Sequence, residues 1–70
     1  MYLLQNDRLS HLREALEKLE PRLRQILLLR YVRDLTQQKT ALLLGMTQVQ
    51  VSRMEKKARL QLQKALAETG

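Results

Sequence analysis

The 70-residue sequence predicts an all-α fold, a small bundle of four helices containing a helix-turn-helix. Apolar residues recur at three- and four-residue intervals through most of the chain, the spacing of one helix face. That pattern breaks only near Glu20-Pro21, Asp34-Leu35 and Gly45. Period-two alternation is confined to Val49–Val51, inside a helical context, so no strand is expected.

The first helix starts after Asn6 or Asp7, either of which caps exposed amides with a side-chain oxygen. Leu9, Leu12, Leu16 and Leu19 define its apolar face. Glu20-Pro21 ends it, because proline disfavours the helical conformation at the preceding residue, whereas Pro21 suits a first turn. The second helix covers about 21–33 and is apolar at Leu23, Ile26, Leu27, Leu28, Leu29 and Val32. So wide an arc predicts a central helix contacted on several sides. Asp34-Leu35 connects it to a third helix over about 37–44, capped by Thr36. Gly45 follows, where the chain needs a left-handed residue. Thr47 caps the fourth and longest helix, and Thr47-x-x-Gln50 fits a capping box. At about 100° per residue, Val51, Met54, Ala58, Leu62, Ala65 and Leu66 share its core side. Val49, Ser52, Arg53, Lys56, Leu60 and Lys64 fall opposite.

A chain of this length forms a single domain, here residues 1–70, burying roughly 60% of its unfolded surface. The leucine triplets 27–29 and 42–44 are expected in its core. The net charge of +6 suits a polyanionic partner. It is uneven: residues 1–35 hold seven Lys/Arg against five Asp/Glu, and residues 36–70 hold six against two. The absence of cysteine excludes disulfides and thiolate metal sites. His11, the lone histidine, reads as a solvent-exposed residue rather than a metal ligand. Glu14 and Glu17 read as surface charges paired with Arg13 or Lys18, since no nucleophile or pocket accompanies them. Neither catalysis, metal nor cofactor is expected. No apolar run approaches the ~20 residues that span a bilayer, and the basic residues lack Trp or Phe anchors for a membrane surface. With only two Tyr, stacking platforms for single strands are also disfavoured.

A short helix, a glycine turn and a longer helix with a basic outer side form the helix-turn-helix pattern, over about 36–58. Ala41 is small where the two helices cross. Gly45 turns the chain, Met46 plugs the turn into the core, and Val51 and Met54 hold the second helix against the first. The basic outer side is either solvated or shaped for duplex DNA.

The stretch "LTQQKTALLLGMTQVQVSRMEKKA" resembles region 4.2 of bacterial RNA polymerase sigma factors. Upstream, "LEKLEPRLRQILLLRYVRDLT" resembles region 4.1. Together they cover about residues 9–66. The run from Gln48 to Lys56 is most similar to the alternative sigma factors of the sporulation and general-stress group. The resemblance implies a cytoplasmic, non-catalytic domain for transcription initiation that binds double-stranded promoter DNA and the RNA polymerase core. Its polymerase contact would be the flap of the β subunit, and an anti-sigma factor is a further implied partner. By position, Gln48, Val49, Ser52 and Arg53 would face base edges of the −35 element in the major groove. Glutamine can pair with adenine and arginine with guanine, and valine can touch a thymine methyl. Thr36 and the first amides of the third helix, from Gln37, would meet a phosphate, as would Arg30 or Arg33. Thr47, Gln50, Lys56 and Lys57 would flank them on the backbone. Lys39 departs from the family's usual Glu, leaving the Thr36 capping box incomplete, and Thr40 stands where an aliphatic residue is usual. The family's regions for the −10 element and the main polymerase body have no counterpart in these residues. A stand-alone helix-turn-helix regulator, or an interaction module bound by an anti-sigma factor or polymerase, are the alternative readings.

Overall fold

A computed structural model describes residues 7–69, with side chains from residue 10 to 68. Four α-helices follow one another: α1 (Asp7–Glu17), α2 (Pro21–Leu27), α3 (Gln37–Leu44) and α4 (Gln48–Thr69). Among the described residues there is no strand. The expected cap Asn6 and the side chain of Leu9 lie outside the described residues.

α1 stops at Glu17, short of the expected proline boundary, and the chain closes with tighter turns. Lys18 N–H donates to the Ala15 carbonyl (3.2 Å) and Leu19 N–H to that of Leu16 (3.1 Å). Leu19 is buried although it lies outside the helix, and Ala15 of α1 is fully buried. Leu12, expected in the core, is instead partly exposed.

The second helix departs most from expectation. α2 ends at Leu27, and Leu28–Val32 continue as a π-helical turn. Arg33 N–H reaches back five residues to the Leu28 carbonyl at 3.0 Å, and Leu35 N–H reaches Leu29 at 3.0 Å. Asp34 closes the turn in the left-handed region, φ 58°, a conformation Asp tolerates better than most residues. Leu23, Ile26 and Leu27 are buried, but Leu28 and Val32 face outwards. The apolar arc is thus not enclosed on all sides.

α3 and α4 follow the local signals closely. Thr36 Oγ1 accepts from Lys39 N–H (3.1 Å) without a reciprocal side chain, as Lys39 dictates. Gly45 is left-handed (φ 67°), and Met46 N–H donates to the Ala41 carbonyl at 2.9 Å. This six-residue closure satisfies carbonyls at the helix end. The capping box at α4 is complete: Gln50 N–H donates to Thr47 Oγ1 (3.1 Å), and Thr47 N–H donates to Gln50 Oε1 (2.9 Å).

Two apolar clusters hold the helices together. Leu19, Leu23, Leu27 and Ala58, with Leu16 of α1, Met54 and Leu62 packed against them, join α1 and α2 to α4. Ile26, Ala41 and Val51 join α2, α3 and α4, with Leu44, Met46 and Met54 against them. The Cα atoms span 38 × 26 × 14 Å, and helices pack 8–10 Å apart. The bundle is therefore about two helices thick, and every helix keeps an outer face. That is why Leu42 (82% exposed) and Leu43 (66%) are not core, contrary to their reading from sequence.

Thr40 is fully buried and its hydroxyl has no hydrogen-bond partner. An unmet buried hydroxyl costs about 1–3 kcal/mol. Thr40→Val keeps the shape and removes that group, so it should stabilise by about 1 kcal/mol, a rise of roughly 4–8 °C in Tm. A lower Tm in thermal denaturation would mean that the hydroxyl is satisfied after all.

Candidate nucleic-acid interface

α4 carries the outer face. Its amino end is fixed by the Thr47–Gln50 box and its inner side by Val51 and Ala58, both fully buried. Gln48, Val49, Ser52 and Arg53 are all exposed over its first two turns. Val49 is 60% exposed, a large apolar side chain presented to solvent on a polar face. Lys56 and Lys57 follow, exposed, one turn further on. These six residues, four expected at base edges and two at the backbone, spread over about half the circumference of the helix, away from Val51 and Ala58.

Thr36, Thr47, Arg33 and Gln50 are also exposed. Each threonine hydroxyl accepts a backbone N–H at its cap, which leaves its own O–H free to donate outwards. The Gln50 side chain uses its oxygen in the cap, which leaves its NH₂ group outward as a donor.

The side chains of Arg30 and Gln37 are engaged within the fold, which leaves the expectation for the backbone amide of Gln37 as it was. Arg30 Nε donates to Glu55 Oε1 at 2.7 Å and Arg30 Nη1 to the Leu35 carbonyl at 2.6 Å. Gln37 Nε2 donates to the same Glu55 oxygen at 3.1 Å. Tyr31 O–H donates to Glu55 Oε2 at 2.7 Å. Both side chains are turned towards a carboxylate within the fold. Burial pushes the Glu55 carboxyl up. The hydrogen bonds from Arg30, Tyr31 and Gln37, with the Arg30 charge, outweigh it and hold the group below the ordinary glutamate value.

Glu55 was the residue sequence reading missed. Within Arg53-Met54-Glu55-Lys56-Lys57 it reads as one more solvated charge, yet it is 3% exposed. Its position carried a signal: four residues after Val51 and three before Ala58, it falls on the apolar stripe. The consequence is electrostatic. With Glu55 turned inward and neutralised, the exposed charges of α4 from Arg53 to Lys64 are all positive.

A second surface is an apolar groove lined by Leu12 and Leu16 of α1, Leu27 of α2, Leu28, Tyr31 and Val32 of the π-helical turn, and Arg59 and Leu62 of α4. Its two polar members meet each other, Arg59 Nη1 donating to the Tyr31 hydroxyl at 3.3 Å. No described helix is long and apolar enough to cross a membrane.

A capped short helix, a left-handed glycine turn and a longer helix whose exposed charges from Arg53 to Lys64 are all positive define a helix-turn-helix domain of the DNA-binding type. Residues 15–64, more than half of the chain, match the family "Sigma-70, region 4". The chain belongs to that family. It is 47% identical over 58 residues to the RNA polymerase sigma-F factor of Priestia megaterium, covering 83% of this chain and 23% of that protein. It is 54% identical over 46 residues to the RNA polymerase sigma-F factor of Bacillus subtilis (strain 168), covering 66% and 18%. The sigma-F factor of Bacillus licheniformis is 52% identical over 46 residues. The chain thus spans less than a quarter of the length of these relatives. No solved structure matches it.

Proposed function

We propose that the chain is the −35-reading domain of an alternative sigma factor, a non-catalytic module that binds duplex promoter DNA while tethered to RNA polymerase. The observation that carries this reading is the exposed strip Gln48, Val49, Ser52 and Arg53 at the amino end of α4, on a rigid helix-turn-helix. In this reading those four side chains meet base edges. Thr36 and Thr47 donate hydroxyls to phosphates, and Arg33, Gln50, Lys56 and Lys57 complete the backbone contacts. The backbone amide of Gln37 meets a phosphate beside Thr36, while the side chains of Arg30 and Gln37 act from inside, holding Glu55. The apolar groove takes a helix of the polymerase, the flap of the β subunit, and an anti-sigma factor would act by occupying it.

Arg53 is the strip's one side chain able to make a bidentate contact with guanine. Arg53→Ala should cost about 1–3 kcal/mol on the preferred −35 sequence and much less on unrelated DNA. Transcription from matched promoters differing at one −35 base measures this. Equal depression of all promoters would make Arg53 a backbone clamp and leave specificity to Gln48, Val49 and Ser52.

Lys56→Ala and Lys57→Ala should weaken binding to every sequence alike. Each lowers the slope of log affinity against log salt by up to ~1 where a full phosphate contact is lost. A salt titration of the double variant with an unchanged slope would remove both residues from the phosphate contacts.

A further inference from the structure

Tyr31 belongs to two surfaces at once. Its ring lines the apolar groove and is 55% exposed, while its hydroxyl donates to Glu55 on α4. Arg30, beside it in the π-helical turn, bonds both Glu55 and the carbonyl of Leu35, the residue before the Thr36 cap of α3. Gln37, the first residue of α3, bonds Glu55 as well. One carboxylate therefore ties the groove wall, the start of α3 and the middle of α4, two residues beyond Arg53.

We propose that Tyr31 is a positioning residue that links the groove to the DNA-reading face through Glu55. Seating an apolar helix in the groove and setting α3 against α4 are then one linked equilibrium. The inference rests on the reading of the groove as a polymerase contact and of α4 as the DNA reader, and it names how the first regulates the second. The physical basis is the burial of Glu55. A carboxylate 3% exposed cannot replace a lost hydrogen bond with water, so it follows its donors. A partner that moves the Tyr31 ring moves the hydroxyl, and the carboxylate carries Arg30 and Gln37 with it. The wall that moves is a π-helical turn closed by a left-handed Asp34, a geometry that recurs at functional sites. Linkage is reciprocal: the groove partner changes DNA affinity by the factor by which DNA changes partner affinity.

Tyr31→Phe removes the hydroxyl, and with it both the bond to Glu55 and the one from Arg59, while keeping the ring in the groove and leaving Arg30 and Gln37 on Glu55. A helical circular-dichroism spectrum matching the wild type's establishes that the variant is folded before titration. The test is an amide-shift titration of the isotope-labelled chain with a polypeptide of the polymerase β flap, without DNA. In the wild type, shifts at Leu28 and Val32 should be accompanied by shifts at Gln37 and Arg53. In Tyr31→Phe the groove shifts should persist and the distant ones collapse. A parallel DNA titration should show the flap polypeptide raising wild-type affinity at least about fivefold, and the variant's hardly at all. Equal distant shifts in both proteins, or groove shifts alone in the wild type, would overturn the linkage while sparing the groove reading. No response at the groove would overturn the groove reading and the linkage together.

Discussion

Val51→Asp should unfold or strongly loosen the domain. Val51 is fully buried in an apolar cluster with Ile26 of α2 and Ala41 of α3, against Leu44, Met46 and Met54. The change forfeits the burial of the valine, about 1.5–3 kcal/mol, and places an unpaired charge between the helices of the motif. Their sum exceeds about 4 kcal/mol, the range of the most damaging single substitutions. A domain of this size has a total stability of only about 4–10 kcal/mol at ~0.05–0.15 kcal/mol per residue. Ser52→Ala, one residue along on the exposed side, should stay within about 0.5 kcal/mol. Circular dichroism melts of the two variants make the comparison, and similar melts would mean that the inner and outer faces of α4 are misassigned.

The second large effect concerns the Arg30–Glu55 pair, and it is asymmetric. The Glu55 side chain is 4% exposed and that of Arg30 25%. Arg30→Met strands a buried carboxylate and should cost about 3–5 kcal/mol at neutral pH. Glu55→Gln leaves an arginine that can turn to solvent and should cost about 1–3 kcal/mol. Acid distinguishes the two further. In the wild type the folded Glu55 titrates below the ordinary glutamate value of about 4.3. Its contribution is therefore complete above that value and is lost as pH falls through the lower folded one. Glu55→Gln should lack this part of the acid loss. Arg30→Met removes both the hydrogen bond and the charge of Arg30, so the folded carboxyl of the variant titrates higher than that of the wild type and protonation relieves the variant first. Its deficit relative to wild type should shrink between pH 7 and pH 4. Chemical denaturation at the two pH values measures this, and a deficit that grows in acid would contradict the pairing.

What the sequence revealed was what short-range geometry decides. Gly45, the Thr36 cap and the Thr47–Gln50 box depend on residues within five positions of one another, and each stands in the structure as read. The faces of α4 followed from helical period alone. The π-helical turn was not legible, because a run such as Leu27–Val32 satisfies an α-helical pattern equally well. What decides there is how Arg30 and Tyr31 meet a residue 24 or 25 positions away. The fate of Arg30 was hidden for the same reason: a cation suits a phosphate or a carboxylate, and only the partner across the bundle chooses. Leu42 and Leu43 misled because leucine implies burial, whereas a helix in so thin a bundle can bury only one side. Ala41 and Leu44, on that side, do pack inwards.

The central claim is that the outer face of the first two turns of α4 enters the groove of promoter DNA. The chain contains no cysteine, so Ser52→Cys offers one attachment point for an iron chelate that cuts nearby DNA. Glu14→Cys, exposed on α1, is the matched control. On a promoter duplex at low salt, the chelate at position 52 should cut around the −35 element, and the chelate at position 14 should cut weakly or not at all. Equal cutting from both positions, or uniform cutting along the duplex from position 52, would contradict the account.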